Sequence, residues 1–198
     1  QESGIALLTV HGRTRACGYR GVAEFDSLRD LRGSTDLPRA VMIPHRAAIH
    51  NPLASCEAIG APHGAPAPAW ADCMVAWLPL YHDMGLIGCL MLPMVIGIDT
   101  WLFRPEAFLA RPRLWLEQLG RHGASFTPAP NFGYQHLLKS FKADRQEALD
   151  LSKVRLIFNG AEPISDSLCH RFMQTMVPFA LNPDAMYPVY GLAEASLA

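Results

Sequence analysis

Residues 73–88 read Cys73-Met74-Val75-Ala76-Trp77-Leu78-Pro79-Leu80-Tyr81-His82-Asp83-Met84-Gly85-Leu86-Ile87-Gly88. The first six are apolar without alternation, the pattern of a short strand covered on both faces. A loop begins near Pro79, and the apolar stretch from Gly85 to Val95 predicts a buried helix. The run Met84 to Ile98 is shorter than the roughly 20 residues that cross a bilayer, and Pro93 interrupts it, so it is expected in a core and not in a membrane. Strand, loop and helix in this order make the first half of a βαβ unit.

The same alternation continues downstream. Asp99–Phe103 predicts a strand and Pro112–His122 a helix, with Pro in its first turn and Gly120 and Gly123 near its end. Leu114, Trp115, Leu116 and Leu119 form the apolar face of that helix. Ala124–Thr127 predicts a strand, Asn131–Phe141 an amphipathic helix and Val154–Phe158 a strand. Ser165 caps a helix to about Met176, with Leu168, Phe172 and Met176 on one stripe. Tyr187–Tyr190 predicts a last strand. The fold class is therefore α/β, a mostly parallel sheet flanked by helices. Ligands of such sheets bind beyond the carboxyl ends of the strands. The loops near Pro79, Pro128, Asn159 and Gly191 are the places to look for chemistry.

Upstream the pattern is less regular. Residues 60–71, GAPHGAPAPAWA, form a Gly/Pro/Ala-rich connector that suits neither a helix nor a central strand. A helix is expected from Pro44 to Ala54, after a turn-forming stretch from Gly33 to Ala40. Residues 1–32 form an atypical segment: a hairpin of Ile5–Val10 and Ala16–Tyr19 about a turn at His11–Thr14, then a short helix from Val22 to Leu31.

Composition narrows the function classes. Half of the 198 residues are hydrophobic, enough for a sizeable core, and the formal net charge of -1 argues against a nucleic-acid backbone binder. The five cysteines are odd in number and none forms a CxxC pair, which suits reduced thiols in a cytoplasmic protein. The histidines show no zinc pattern. No secretory signal is visible at the start.

Each strand-end loop admits a chemical and a structural role. His82 and Asp83 precede a helix start that can hold an anion, or Asp83 caps that helix with His82 packed beside it. Asn131 either caps its helix or presents an amide to a carboxylate. Gly160 permits close backbone approach in Asn159-Gly160-Ala161-Glu162-Pro163, where a flat heterocycle can lie. Tyr190 can stack on such a ring, Glu194 suits a magnesium ion, and Ser196 can donate to a phosphate.

Together these loops resemble the acyl- and aryl-adenylating enzymes, and within them the fatty acyl-AMP ligases. The resemblance is carried by WLPLYHDMGLIG at 77–88, PNFGY at 130–134, NGAEPIS at 159–165 and YGLAEASLA at 190–198. GSTDLPRAVMIPHRAAIHN, from residue 33, resembles the family's phosphate loop and the helix behind it. The opening HGRTRACGYRGVAEFDSLRDL resembles the family's opening hairpin and helix, which in a full enzyme lie far from the phosphate loop. The chain would then be a partial adenylation domain, part of the large N-terminal domain of an adenylate-forming enzyme.

The resemblance implies cofactors, partners and roles. Gly33, Ser34 and Thr35 would cradle the ATP phosphates. His82 would line the acyl pocket as a catalytic residue beside the reacting carboxylate, with Asn131 and Phe132 near the acyl and phosphate groups. Asn159, Gly160, Ala161 and Glu162 would frame the adenine, and Tyr190 and Gly191 would lie against it. Glu194 would hold Mg2+ and Ser196 would contact the α-phosphate. A fatty acid would attack the α-phosphorus of ATP to give acyl-AMP and pyrophosphate, and the acyl group would pass to an acyl carrier protein. This chain departs from the family pattern at Arg32, Asp36, Arg39 and Ala40 of the phosphate loop. It also stops before the family's C-terminal lysine. On this reading the chain is too short to run the reaction alone. Two alternatives stay open: a non-catalytic docking or structural module of a larger synthase, with a homodimer as one form, and an acyl-CoA synthetase fragment.

Overall fold

The computed structural model describes residues 5–10, 40–58, 72–141 and 149–191. Its main body is a sheet of five parallel strands in the order β4-β3-β5-β6-β7. These are β3 (Cys73–Ala76), β4 (Asp99–Leu102), β5 (Phe126–Ala129), β6 (Leu156–Asn159) and β7 (Met186–Pro188). All four residues of β3 and of β5 are buried, as unbroken apolar strands in the middle of a parallel sheet should be. β4 lies at one edge and is mostly exposed. A separate antiparallel pair joins β1 (Ile5–Val10) to β2 (Ala40–Pro44).

Chain direction explains the layers. From β3 the chain steps outward to β4, then returns past β3 to β5 and continues to β6 and β7. Right-handed crossovers place connections that step in opposite directions on opposite faces of the sheet. One face carries a π-helical segment (Met84–Met91) that runs into α2 (Leu92–Ile96), with α1 (His45–Ala58) packed on both. The other face carries α3 (Pro105–Ala110), α4 (Arg113–His122), α5 (Asn131–Ser140) and α6 (Asp166–Met176). Three of these meet in one aromatic cluster. Trp115 of α4 lies 5.6 Å from Tyr134 of α5, and Tyr134 lies 4.9 Å from Phe172 of α6.

One polar chain runs through this core. The Trp115 indole N–H donates to Thr127 Oγ1 at 2.8 Å, and the Thr127 hydroxyl donates to the Val75 carbonyl at 2.8 Å. Thr127 is fully buried, so these bonds tie α4 to β5 and β5 to β3 without an orphaned donor.

The alternation of strands and helices matches expectation, and several details differ. β2 occupies Ala40–Pro44, where a turn and a helix start were expected, and α1 extends to Ala58 with Pro52 inside it. The partner of β1 among the described residues is β2; the expected return strand at 16–19 lies outside them. β5 sits two residues later than expected and contains Pro128. α3 was not anticipated, because six residues give too little periodicity to read. Leu114 is only partly buried, while Trp115, Leu116 and Leu119 face the core. β7 begins at Met186 and ends at Pro188. Ser165 caps α6 as expected, its hydroxyl accepting from the Leu168 N–H.

Candidate functional site

β3 and β5 are neighbours whose connections leave in opposite directions, which opens a crevice at their carboxyl ends. A cavity of about 560 Å3 lies there. Its walls come from α1, from the start of the π segment, and from the ends of β5, β6 and β7. A smaller cavity of about 100 Å3 adjoins it over the end of β3, against α3 and the start of α5. His82, Met84 and Ala161 border both.

His82 is held by its neighbour. Its Nδ1 lies 2.6 Å from Asp83 Oδ1, and the same carboxylate oxygen accepts the Met84 N–H at 2.8 Å. Asp83 therefore caps the π segment and orients the imidazole at once. This is the capping role weighed for the loop from the sequence. Gly85 is required by packing: a Cβ there would stand 2.1 Å from the Pro79 carbonyl oxygen.

The loop after β6 is built by close backbone approach. A Cβ on Gly160 would lie 2.7 Å from both the carbonyl oxygen and Cγ2 of Val189. Ala161 follows in the left-handed region, with φ 69°. A residue with a Cβ is strained there by about 1–2 kcal/mol, and such strain collects at ligand sites.

Asn131 and Glu162 are turned toward the protein. Asn131 is the first residue of α5, and Pro130 holds the cap position. The Asn131 amide donates to the Pro163 carbonyl and accepts from Asn159 Nδ2 at 3.1 Å. Glu162 Oε1 accepts the Phe132 N–H at 2.6 Å, so its carboxylate sits on the N-terminus of α5. Asn159 is fully buried, and its Nδ2 also donates to the Cys169 sulfur at 3.0 Å. Burial pushes the Cys169 thiol up, and that N–H holds part of the rise back. Two buried polar atoms lack a partner among the described residues: Asn159 Oδ1 and Trp77 Nε1.

Tyr190 is 84% exposed and stands on the wall of the larger cavity beside Gly191. Phe132 lines the smaller cavity with Glu162. The structure thus brings His82, Ala161, Tyr190 and Gly191 to one cavity and joins Phe132 and Glu162 to its neighbour. Asn131 and Asn159 tie the loops behind them. Gly33, Ser34, Thr35, Glu194 and Ser196 lie outside the described residues. Sequence reasoning missed the α1 wall, Ala54, Ser55 and Ala58, and also Gly88 and Phe158. Small residues on a helix give no signal until the opposing surface is known.

A family model described as AMP-binding enzyme matches residues 33–198. The chain belongs to that family. A second model, dihydrouridine synthase (Dus), matches residues 1–59, under a third of the chain, and overlaps the first from residue 33. The medium-chain-fatty-acid–[acyl-carrier-protein] ligase JamA of Moorena producens (strain JHB) is 38% identical over 170 residues, 86% of this chain and 28% of that protein. The fatty acid AMP ligase from Legionella pneumophila superposes with a TM-score of 0.76 at 35% identity, covering 83% of this chain and 28% of that one. The L. pneumophila fatty acyl-adenylate ligase in complex with acyl adenylate and pyrophosphate gives 0.74 at 34% identity, over 82% of this chain and 27% of that one. The chain therefore spans under a third of the length of these relatives.

The AMP-binding domain's parallel sheet with its flanking helices is the architecture shared with those solved structures. Among the described residues, no helix of this domain is long and apolar enough to cross a membrane. No group of three or more His, Cys, Asp or Glu side chains that could hold a metal occurs among them either.

Proposed function

We propose that this AMP-binding domain is the acid- and nucleotide-binding core of a fatty acyl-AMP ligase. The observation that carries the reading is the cavity of about 560 Å3 at the sheet's switch point, where His82, the Ala161 turn and Tyr190 converge. In this reading the acyl chain lies in the apolar slot between α1 and the π segment. The adenine lies against Ala161 and the exposed Tyr190 ring. Stacking on that ring contributes about 1–3 kcal/mol if base stacking on aromatics is a guide.

The reaction is in-line attack of a carboxylate oxygen on the α-phosphorus of ATP, forming the P–O bond of acyl-AMP and breaking the bond to pyrophosphate. Catalysis of this kind is positioning and charge neutralisation. His82, oriented by Asp83, borders the region where the carboxylate would sit. Asn131, Asn159 and Glu162 fix the loops that shape the adenine wall. Gly33, Ser34 and Thr35 would hold the phosphates and Ser196 the α-phosphate. Both carboxylates of the described site, Asp83 and Glu162, are engaged by backbone N–H groups. As the family resemblance implies, Glu194 would hold Mg2+, which would neutralise phosphate charge there.

The acyl acceptor in this reading is an acyl carrier protein, as in the name of the Moorena relative. The four described cysteines are all free and buried, in keeping with a cytoplasmic protein. The test is binding of ATP with Mg2+ by the chain and, once the segments present in the relatives are supplied, pyrophosphate release with a series of fatty acids, the acyl product being trapped on a carrier protein or on coenzyme A. Acid-dependent release with transfer to the carrier supports the reading. Transfer to coenzyme A would assign an acyl-CoA synthetase. An absence of nucleotide binding would leave a non-catalytic adenylation-like module.

A further inference from the structure

The wall of the larger cavity contains a residue without a side chain, Gly88, on its helical side. Met84, Gly88 and Leu92 line the cavity at i, i+4 and i+8 along the π segment and the start of α2. That spacing puts them on one stripe, so a side chain at 88 would project between those of Met84 and Leu92. The stripe faces α1, which packs on both helical pieces and contributes only Ala54, Ser55 and Ala58 to the same cavity. Met84 and Leu92 are buried and fixed by packing, whereas Gly88 is half-buried. Among the described residues, the groups that α1 brings to the cavity are small. The strict packing need seen at Gly85, where any Cβ meets the Pro79 carbonyl, belongs to the neighbouring face.

We propose that Gly88 is the specificity-determining residue for acyl chain length: its missing side chain leaves the room between α1 and the π segment that the distal methylenes of a longer acid fill. This rests on the acyl-adenylate reading above. Each methylene removed from water strengthens binding about fourfold. Leucine at 88 brings four carbons and displaces about that many from the slot. Acids long enough to reach it should then lose roughly two orders of magnitude in affinity, while short acids lose little.

The experiment measures binding of acyl-sulfamoyl-adenosine, a non-reacting acyl-adenylate mimic, with acyl chains from four to sixteen carbons. The proteins are the full chain and its Gly88→Ala and Gly88→Leu variants. The expected result is a cutoff that moves to shorter chains in the order Gly, Ala, Leu, with butyryl-sulfamoyl-adenosine bound equally by all three. An unchanged chain-length profile in Gly88→Leu overturns the proposal, and so does uniform weakening at every length. If Gly88→Leu does not fold, Gly88→Ala carries the test: a profile identical to the parent's refutes it. Failure of the parent chain to bind any member of the series refutes the functional reading itself, a separate outcome.

Discussion

Replacing Gly160 with alanine puts a methyl group where the chain just after β7 already stands. The added Cβ would lie 2.7 Å from the Val189 carbonyl oxygen and 2.7 Å from its Cγ2, about 0.7 Å short of the 3.4 Å at which ordinary contact begins. The two contacts differ in kind. Cγ2 can rotate away or be removed. The carbonyl is part of the main chain, and its residue is anchored on the other side, where the Val189 N–H donates to the Asn159 carbonyl at 2.8 Å. Moving Val189 to relieve the clash strains that bond between the end of β6 and the chain after β7, and it shifts the cavity wall that Val189 helps form. Overpacking of this kind costs about 1–3 kcal/mol. A double-mutant cycle separates the parts. Val189→Ala removes Cγ2 and leaves the carbonyl, so Gly160→Ala should still cost about 1 kcal/mol or more in the Val189→Ala background. Urea unfolding at constant slope reads the difference through the midpoint. Parental stability in Gly160→Ala, or no cost of that substitution in the Val189→Ala background, would refute the backbone-approach argument.

Thr127→Val should destabilise by about 2–4 kcal/mol, since it strands the Trp115 N–H and the Val75 carbonyl in a fully buried position; chemical denaturation would measure it, and a change under 0.5 kcal/mol would contradict it. Glu162→Gln should cost about 1 kcal/mol, because the carboxylate at the N-terminus of α5 loses its charge while keeping its shape, and added salt should narrow the gap to the parent. Burial pushes the Cys56 thiol up to about 11, above its unfolded value near 8.5, so the unfolded chain releases that proton first as pH rises. Stability from the neutral thiol is full below pH 8.5 and falls between there and pH 11; a Cys56→Ala variant should show a shallower alkaline fall, and an identical slope would count against the assignment. Burial likewise raises Cys89, and at pH 8 a thiol reagent should label neither residue until the chain unfolds.

Much of the sheet was legible because its strands are unbroken apolar runs between amphipathic helices. Residues 113–122 and 165–176 carry a helical periodicity, and 73–78 is an unbroken apolar run too short for a helix. The errors lie where local chemistry and tertiary context disagree. Pro128 reads as a strand breaker, yet it sits inside β5, fully buried and paired with Phe158 of β6. Ala40–Pro44 follows a turn-rich stretch and reads as a helix approach, and its strand character depends on pairing with β1, thirty residues earlier. The site was legible as a set of loops and illegible as a set of roles. Nothing local tells that the Asn131 amide is spent on Pro163 and Asn159, or that Glu162 reaches the helix start at Phe132. Those partners lie about 30 residues away and meet only when β5 and β6 pair. The left-handed Ala161 is hidden for a similar reason, since alanine does not advertise a positive φ as glycine does.

On the proposed function, the cavity between α1 and the strand ends takes an acyl adenylate with its adenine against Tyr190. Calorimetric titration of the chain and its Tyr190→Ala variant with decanoyl-sulfamoyl-adenosine tests it most directly. Because Tyr190 is 84% exposed, the variant should unfold at the parental midpoint. Saturable binding to the parent is expected, with binding weaker by about 1–3 kcal/mol in the variant, in line with loss of one stacking surface. Equal affinity in the two proteins, or no binding to the parent, would contradict it.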